Sequence, residues 1–96
     1  MIRVSVLYPK TEGAKFDHDY YRTTHVPMAV NGWKPARTEI DKGVDGPFEA
    51  AVHFFFESAE RFQQCMGMPV TGELMADLPN YTNIEAQIQV SEVVES

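Results

Sequence analysis

Phe16-Asp17-His18-Asp19-Tyr20-Tyr21-Arg22-Thr23-Thr24-His25-Val26-Pro27 decides the reading of this chain, because a helix start, two tyrosines, two histidines and a helix-breaking proline fall together in it. Asp17 stands as an N-cap, since its carboxylate can accept the backbone N–H groups that the first helical turn leaves unpaired. Asp19 adds a charge that suits the same end of the helix dipole. Phe16 and Tyr21 have the spacing of a hydrophobic staple across that cap. Pro27 disfavours α geometry at Val26 and has no N–H for the carbonyl four residues back. The first helical run is therefore expected to end or kink at Pro27, with His25 at the break.

Tyr21 and His25 are four residues apart and share a helix face, which Met28 or Ala29 continues if the helix resumes. The face is mostly apolar. An imidazole buried in it must find a partner or lose proton affinity. Two readings follow: a structural histidine bonded to a backbone group freed by Pro27, or a site residue whose pKa suits proton transfer near neutrality. Tyr20 lies about 100° round the helix from Tyr21 and is expected to be more exposed.

The chain has 96 residues, 8 basic and 14 acidic side chains and a formal net charge of −6. That length suits one domain over 1–96, small enough for a second subunit to help complete the core. The scattered basic residues and the negative balance argue against nucleic acid and anionic membrane as partners. No apolar run is long enough to span a bilayer, and no series of charged, apolar and small residues makes a signal peptide. With a single cysteine, Cys65, the reducing cytoplasm is the expected location.

Outward from the opening stretch, Ile2 to Tyr8 alternates as a half-buried strand does, and Pro9 to Gly13 ends it. Asn31-Gly32 with Pro35 is expected to close the first helical region. Arg37 to Asp41 and the aromatic-rich Phe48 to Phe56 read as a hairpin across Gly43 to Pro47. Ser58 caps a second helix through Met66, Val70 to Leu78 reads as a further helical segment, and Ile84 to Val94 alternates as a last strand. The order β-α-β-β-α-β predicts an α+β, ferredoxin-like fold with a four-stranded antiparallel sheet. One sheet face would carry Ser5, Leu7, His53, Phe55, Gln87 and Gln89. That mixed surface suits coverage by the same face of a second copy, giving a homodimer in the form of a dimeric α+β barrel.

Met1-Ile-Arg-Val-Ser-Val-Leu-Tyr-Pro9, the Phe16-Asp17, Tyr20-Tyr21 and His25-Val26-Pro27 elements, Met75-Ala-Asp-Leu-Pro-Asn-Tyr-Thr82 and Gln89-Val-Ser-Glu-Val93 together resemble the EthD family of dimeric α+β barrel proteins. The resemblance runs nearly end to end. It implies a dimer, a cleft between the first helix and the sheet, and a connection from Trp33 to Glu49 shorter than relatives often carry. It associates the chain with ethyl tert-butyl ether degradation and with an oxidoreductase label, without a mechanism.

Two functions stay open. In the first, an enzyme acts on a small, largely apolar molecule such as an ether, lactone or polyketide-like aromatic. His25 would be the general acid or base, Tyr21 would orient the substrate, and Tyr8, Tyr20, His53 and Tyr81 are candidate substrate contacts. In the second, a non-catalytic dimer binds such a molecule or supports a partner protein, and His25 is structural. Asp17 is accounted for by capping. His18 and His25 stand about 10 Å apart along a helix, too far to share a metal ion, so no metal site is expected. No phosphate loop or other motif calls for a cofactor. Cys65 and the methionines at 66, 68 and 75 read as packing residues.

Overall fold

Ile2–Pro9 (β1) lies inside a four-stranded antiparallel sheet, paired with Phe48–Phe56 (β3) on one side and Gln87–Glu92 (β4) on the other, with Arg37–Lys42 (β2) beyond β3. The computed structural model describes residues 1–95. Between β1 and β2 run α1 (His18–Tyr20), a π-helical turn (Tyr21–His25) and α2 (Val26–Trp33). Between β3 and β4 lie α3 (Ala59–Met66), α4 (Pro69–Asp77) and a 3-10 turn (Leu78–Asn80). This is the α+β ferredoxin-like arrangement that the order of elements predicts.

The ladders place Val4 opposite Phe54 and Val90, and Ser5 opposite His53 and Gln89. One face therefore presents Val4, Tyr8, Val52, Phe54 and Phe56 to the helices, where they pack with Tyr21, Val26, Ala29, Trp33, Cys65 and Leu74. Each large side chain buried there contributes about 1.5–3 kcal/mol. The other face carries Arg3, Ser5, Leu7, Ala51, His53 and Phe55, as the alternation predicts. Phe54, Phe55 and Phe56 are all buried within the single chain, and the Arg37 guanidinium lies 4.2 Å from the centre of the Phe55 ring.

Three boundaries differ from the sequence expectation. The helix neither ends nor breaks at Pro27: it widens into a π turn just before it, where the Val26 N–H bonds the Tyr21 carbonyl five residues back. A proline cannot supply the next N–H, and one wide turn lets the helix pass it, with Pro27 in the first turn of α2. The helix does close in the Asn31 to Pro35 stretch, but Asn31 and Gly32 lie inside its last turn and not at the cap. The helix continues to Trp33 and is closed by Lys34 in the left-handed conformation (φ 52°). Gly32 serves packing instead: a Cβ there would come within 2.6 Å of Val70 Cγ1 and 2.9 Å of Val70 Cβ. The last strand begins at Gln87, not Ile84, because Ile84 is drawn into the core while Ile88 and Val90 stay largely exposed at the sheet edge.

Gly32→Ala sets overpacking of about 1–3 kcal/mol against alanine's helix preference of up to ~1 kcal/mol. Urea unfolding should show a net loss of stability, reversed to a net gain when the same substitution is made in a Val70→Ala background. The same sign in both backgrounds would remove the packing role.

Candidate functional site

Asp77, the last residue of α4, is the polar centre of the helix-covered face. Its Oδ2 accepts from His25 Nδ1 at 2.8 Å, and its Oδ1 accepts from the Tyr20 hydroxyl at 2.7 Å and the Asn80 side-chain amide at 2.8 Å. Both Asp77 and His25 are 8% exposed. Burial by itself raises the carboxyl pKa, but the hydrogen bonds from Asn80, His25 and Tyr20 outweigh it and hold Asp77 below the ordinary value of 3.8. For His25, burial wins over the attraction of Asp77, so its pKa is lowered from 6.5 and the imidazole is neutral at neutral pH.

A carboxylate can only accept, so the neutral ring carries its proton on Nδ1 and offers a lone pair at Nε2. The Tyr81 hydroxyl donates to that atom at 3.2 Å. The Tyr81 oxygen in turn accepts from the Tyr8 hydroxyl at 2.8 Å. Tyr8, Tyr81, His25 and Asp77 thus form one directional chain of hydrogen bonds from the centre of the sheet to the end of α4. Burial pushes the phenols of Tyr8, Tyr21 and Tyr81 above their ordinary range, which keeps them protonated. The Tyr20 phenol is also raised, first by its hydrogen bond to Asp77.

Local structure explains how these groups meet. Asp17 caps the helix, its Oδ1 accepting from the Tyr20 N–H at 3.0 Å, while its own N–H bonds the Tyr81 carbonyl at 2.8 Å. The cap therefore also pins the Tyr81 loop to the start of α1. Phe16 and Tyr21 pack across it with ring centres 4.9 Å apart, and the π turn lays Tyr21 over His25 at 5.6 Å and 15°.

Tyr8 has a second role. With Val4, Trp33, Phe62, Leu74 and Ile84 it lines an apolar cavity of about 370 Å³ under α3 and α4, opening past Met66, Met75 and Ile88. The cleft predicted between the first helix and the sheet is thus mostly a space between α3–α4 and strands β1 and β4, with Trp33 the contribution of α2. A polar hollow of about 400 Å³ near Phe16 and Tyr81 is a loop junction, where Thr82 and Asn83 spend their side chains on backbone groups of Gly13 and Lys15.

Of the sequence candidates, Tyr8, Tyr20, Tyr21, His25 and Tyr81 come together. His53 does not: it sits on the opposite sheet face, where Nδ1 meets Ser5 Oγ at 2.7 Å and Nε2 meets Asp41 at 3.0 Å. Asp77 was not among the candidates, although a carboxylate in the last turn of a helix opposes the dipole there and signals a need for donors. Among the described residues, no three His, Cys, Asp or Glu side chains converge as a metal-binding group, and no helix is long and apolar enough to cross a membrane.

Fold and site together define an α+β ferredoxin-like protein with a buried carboxylate–imidazole–phenol chain beside an apolar cavity. An EthD-like protein from Ralstonia eutropha is 41% identical over 98% of this chain and 92% of its own, with a TM-score of 0.89. The chain belongs to the EthD-like family. An ethyl tert-butyl ether D (EthD) family protein from Bacillus halodurans shares the fold at 18% identity, covering 96% of this chain and 97% of that one, with a TM-score of 0.76. A cofactor-independent oxygenase from Streptomyces nogalater does so at 7% identity, 99% and 93% coverage and a TM-score of 0.70. No family model and no curated protein matches the chain.

Removing the carboxylate in Asp77→Ala strands three donors and should destabilise by about 1–3 kcal/mol or more, read by urea unfolding. Asp17→Ala should cost about 0.5–2 kcal/mol as a lost cap. Acid stability carries a further signature. Because His25 has its pKa lowered, the unfolded chain takes up a proton below 6.5 that the folded chain refuses, so stability falls as pH drops from 7 through that window. Asp77, lowered from 3.8, gives a second loss as pH falls below that value. His25→Gln should flatten the first limb; a parent that gains stability between pH 7 and 6 would contradict the assignment.

Proposed function

We propose that this EthD-like chain binds a small, largely apolar organic molecule in the α3–α4 cavity and exchanges a proton with it through Tyr8, Tyr81 and His25. The observation that carries this reading is that Tyr8 belongs both to the cavity wall and to the hydrogen-bonded chain ending at Asp77. As a base, the chain works by one concerted shift. The ligand proton passes to the Tyr8 oxygen while Tyr8 gives its own proton to Tyr81 and Tyr81 gives its own to His25 Nε2. Both phenols end neutral, as burial demands, and the imidazolium faces the Asp77 carboxylate. The reverse shift returns that proton from the imidazolium, so the chain serves as an acid once it has acted as a base. Tyr21, packed on Tyr8 and His25, and Tyr20, bonded to Asp77, hold the relay in place.

Such a transfer suits a lactone or a polyketide-like aromatic, which has an acidic C–H or O–H. A simple ether presents only an acceptor oxygen. Proton removal is also an opening step for an isomerisation or for an oxidation of the oxidoreductase type. A homodimer through the helix-free face accompanies this reading, supported by Leu7, which stays only half-buried on that face beside the exposed Gln87 and Gln89.

A second reading has its own support. His25 is not in the cavity wall, and both its ring nitrogens are already paired within the chain, as a purely structural network in a binding or accessory protein would have them. Thermal-shift measurements on the parent, Tyr8→Phe and His25→Gln against lactones, quinols, ethers and haem, with the oligomer followed by light scattering, identify a ligand for turnover assays. The catalytic reading expects both variants to retain binding and to lose turnover by about 10²-fold or more. Turnover unchanged in both variants would leave the relay structural.

A further inference from the structure

Three tyrosines join the cavity to the outside of the protein. Tyr8 stands in the cavity wall, Tyr81 lies behind it and Tyr20 is half-buried at the surface, with ring centres 6.2 Å apart at each of the two steps. The second step is a stack, the planes of Tyr81 and Tyr20 meeting at 19°. Each of the three phenols also donates to an acceptor within the chain: Tyr8 to the Tyr81 oxygen at 2.8 Å, Tyr81 to His25 Nε2 at 3.2 Å and Tyr20 to Asp77 Oδ1 at 2.7 Å. Tyr21 touches Tyr8 and Tyr81 as well, but at 1% exposure it leads nowhere outside. A phenol that lost an electron and kept its proton would be a buried cation, which the low-dielectric interior penalises heavily. Release of the proton to a hydrogen-bonded acceptor in the same event avoids that charge, and all three tyrosines have such an acceptor.

Resting on the reading of the cavity as the ligand site, we infer that Tyr8, Tyr81 and Tyr20 form a path for single electrons between a ligand in the cavity and a donor in solvent. The co-reactants are an aromatic or quinone ligand in a one-electron-oxidising state and a soluble one-electron reductant. Tyr8 gives an electron to the ligand. Its proton passes to the Tyr81 oxygen while Tyr81 passes its own to His25 Nε2, which leaves a neutral Tyr8 phenoxyl radical and an imidazolium facing Asp77. Tyr81 then returns an electron and a proton to Tyr8 and becomes the radical. Tyr20 gives its electron to Tyr81 and its proton to Asp77, and Tyr81 recovers a proton from His25. The solvent donor supplies an electron to Tyr20, which takes its proton back from Asp77. The net change is one electron moved from the donor to the ligand, with every side chain restored. A ligand radical formed in the cavity is thereby reduced from outside without leaving it.

The test uses naphthoquinone, an apolar probe whose light-excited state takes one electron from a phenol. Calorimetry measures its binding to the parent and to Ala86→Phe, which narrows the cavity. A light flash with ferrocyanide in solution then follows the semiquinone and phenoxyl absorptions in the parent, Tyr20→Phe and Tyr81→Phe, and electron paramagnetic resonance on frozen samples identifies the radical. High salt screens the repulsion between ferrocyanide and the chain's net charge of −6. The parent should form a semiquinone and a phenoxyl radical that ferrocyanide removes. In both variants the ring and its packing stay but the phenol is gone, so a radical should still form on the buried Tyr8 and its removal by ferrocyanide should be lost. Equal removal in all three proteins, or no phenoxyl radical in a parent with the quinone bound, would overturn the path while leaving the cavity as the site. If naphthoquinone fails to bind the parent, or binds Ala86→Phe equally well, the cavity reading itself falls and the path falls with it.

Discussion

A buried carboxylate must be satisfied, and the interior of this protein is arranged around satisfying Asp77. Taking an ionised side chain out of water is expensive unless hydrogen bonds replace the water it loses. Here the replacements come from His25 in the first helical region, Tyr20 a turn and a half earlier and Asn80 just after α4. Two segments far apart in the chain, the first helical region and the end of α4, are thereby tied to one group. The consequence reaches further, because fixing the Nδ1 proton of His25 fixes the direction of every hydrogen bond out to Tyr8.

The sheet and the helices make that chain possible by bringing unlike surfaces together. β1 supplies Tyr8 on its helix-facing side, and the loop after α4 supplies Tyr81 at a distance set by the backbone bond from Asp17 to the Tyr81 carbonyl. The π turn before Pro27 is the helix's answer to a missing N–H, and it keeps Tyr21 and His25 stacked while the helix continues. Polar and apolar chemistry are consequently adjacent but separate. The hydrogen-bonded chain runs through the tyrosine cluster, and the cavity opens beside it under α3 and α4, with Tyr8 common to both.

Much of this was legible in the sequence. The alternation in β1 and the aromatic run of β3 gave the faces of the sheet correctly, and Asp17 and Ser58 marked helix starts that the structure keeps. His25, Tyr21, Tyr8, Tyr20 and Tyr81 were recognisable as site candidates because tyrosine and histidine on an apolar face need partners. The alternation also set His53 on the helix-free face with Ser5 and Phe55, where the structure keeps it, so His53 stands apart from the tyrosine cluster it was grouped with as a substrate contact. Gly32 looked like a helix stop because local propensity cannot show Val70 packed against it.

What the amino-acid sequence determined by itself is whatever depends on near neighbours: strand period, helix caps, the order of elements and hence the ferredoxin-like topology. Periodicity and capping are local, acting over a few residues, and so they are written in short stretches. Only the tertiary structure decided that Asp77 is the partner of His25, that Tyr8 belongs both to the hydrogen-bonded chain and to the cavity wall, and that the cavity lies under α3 and α4. Those contacts join residues more than fifty positions apart, and their energies depend on burial and on donor direction. Neither exists until the sheet and helices have closed over one another.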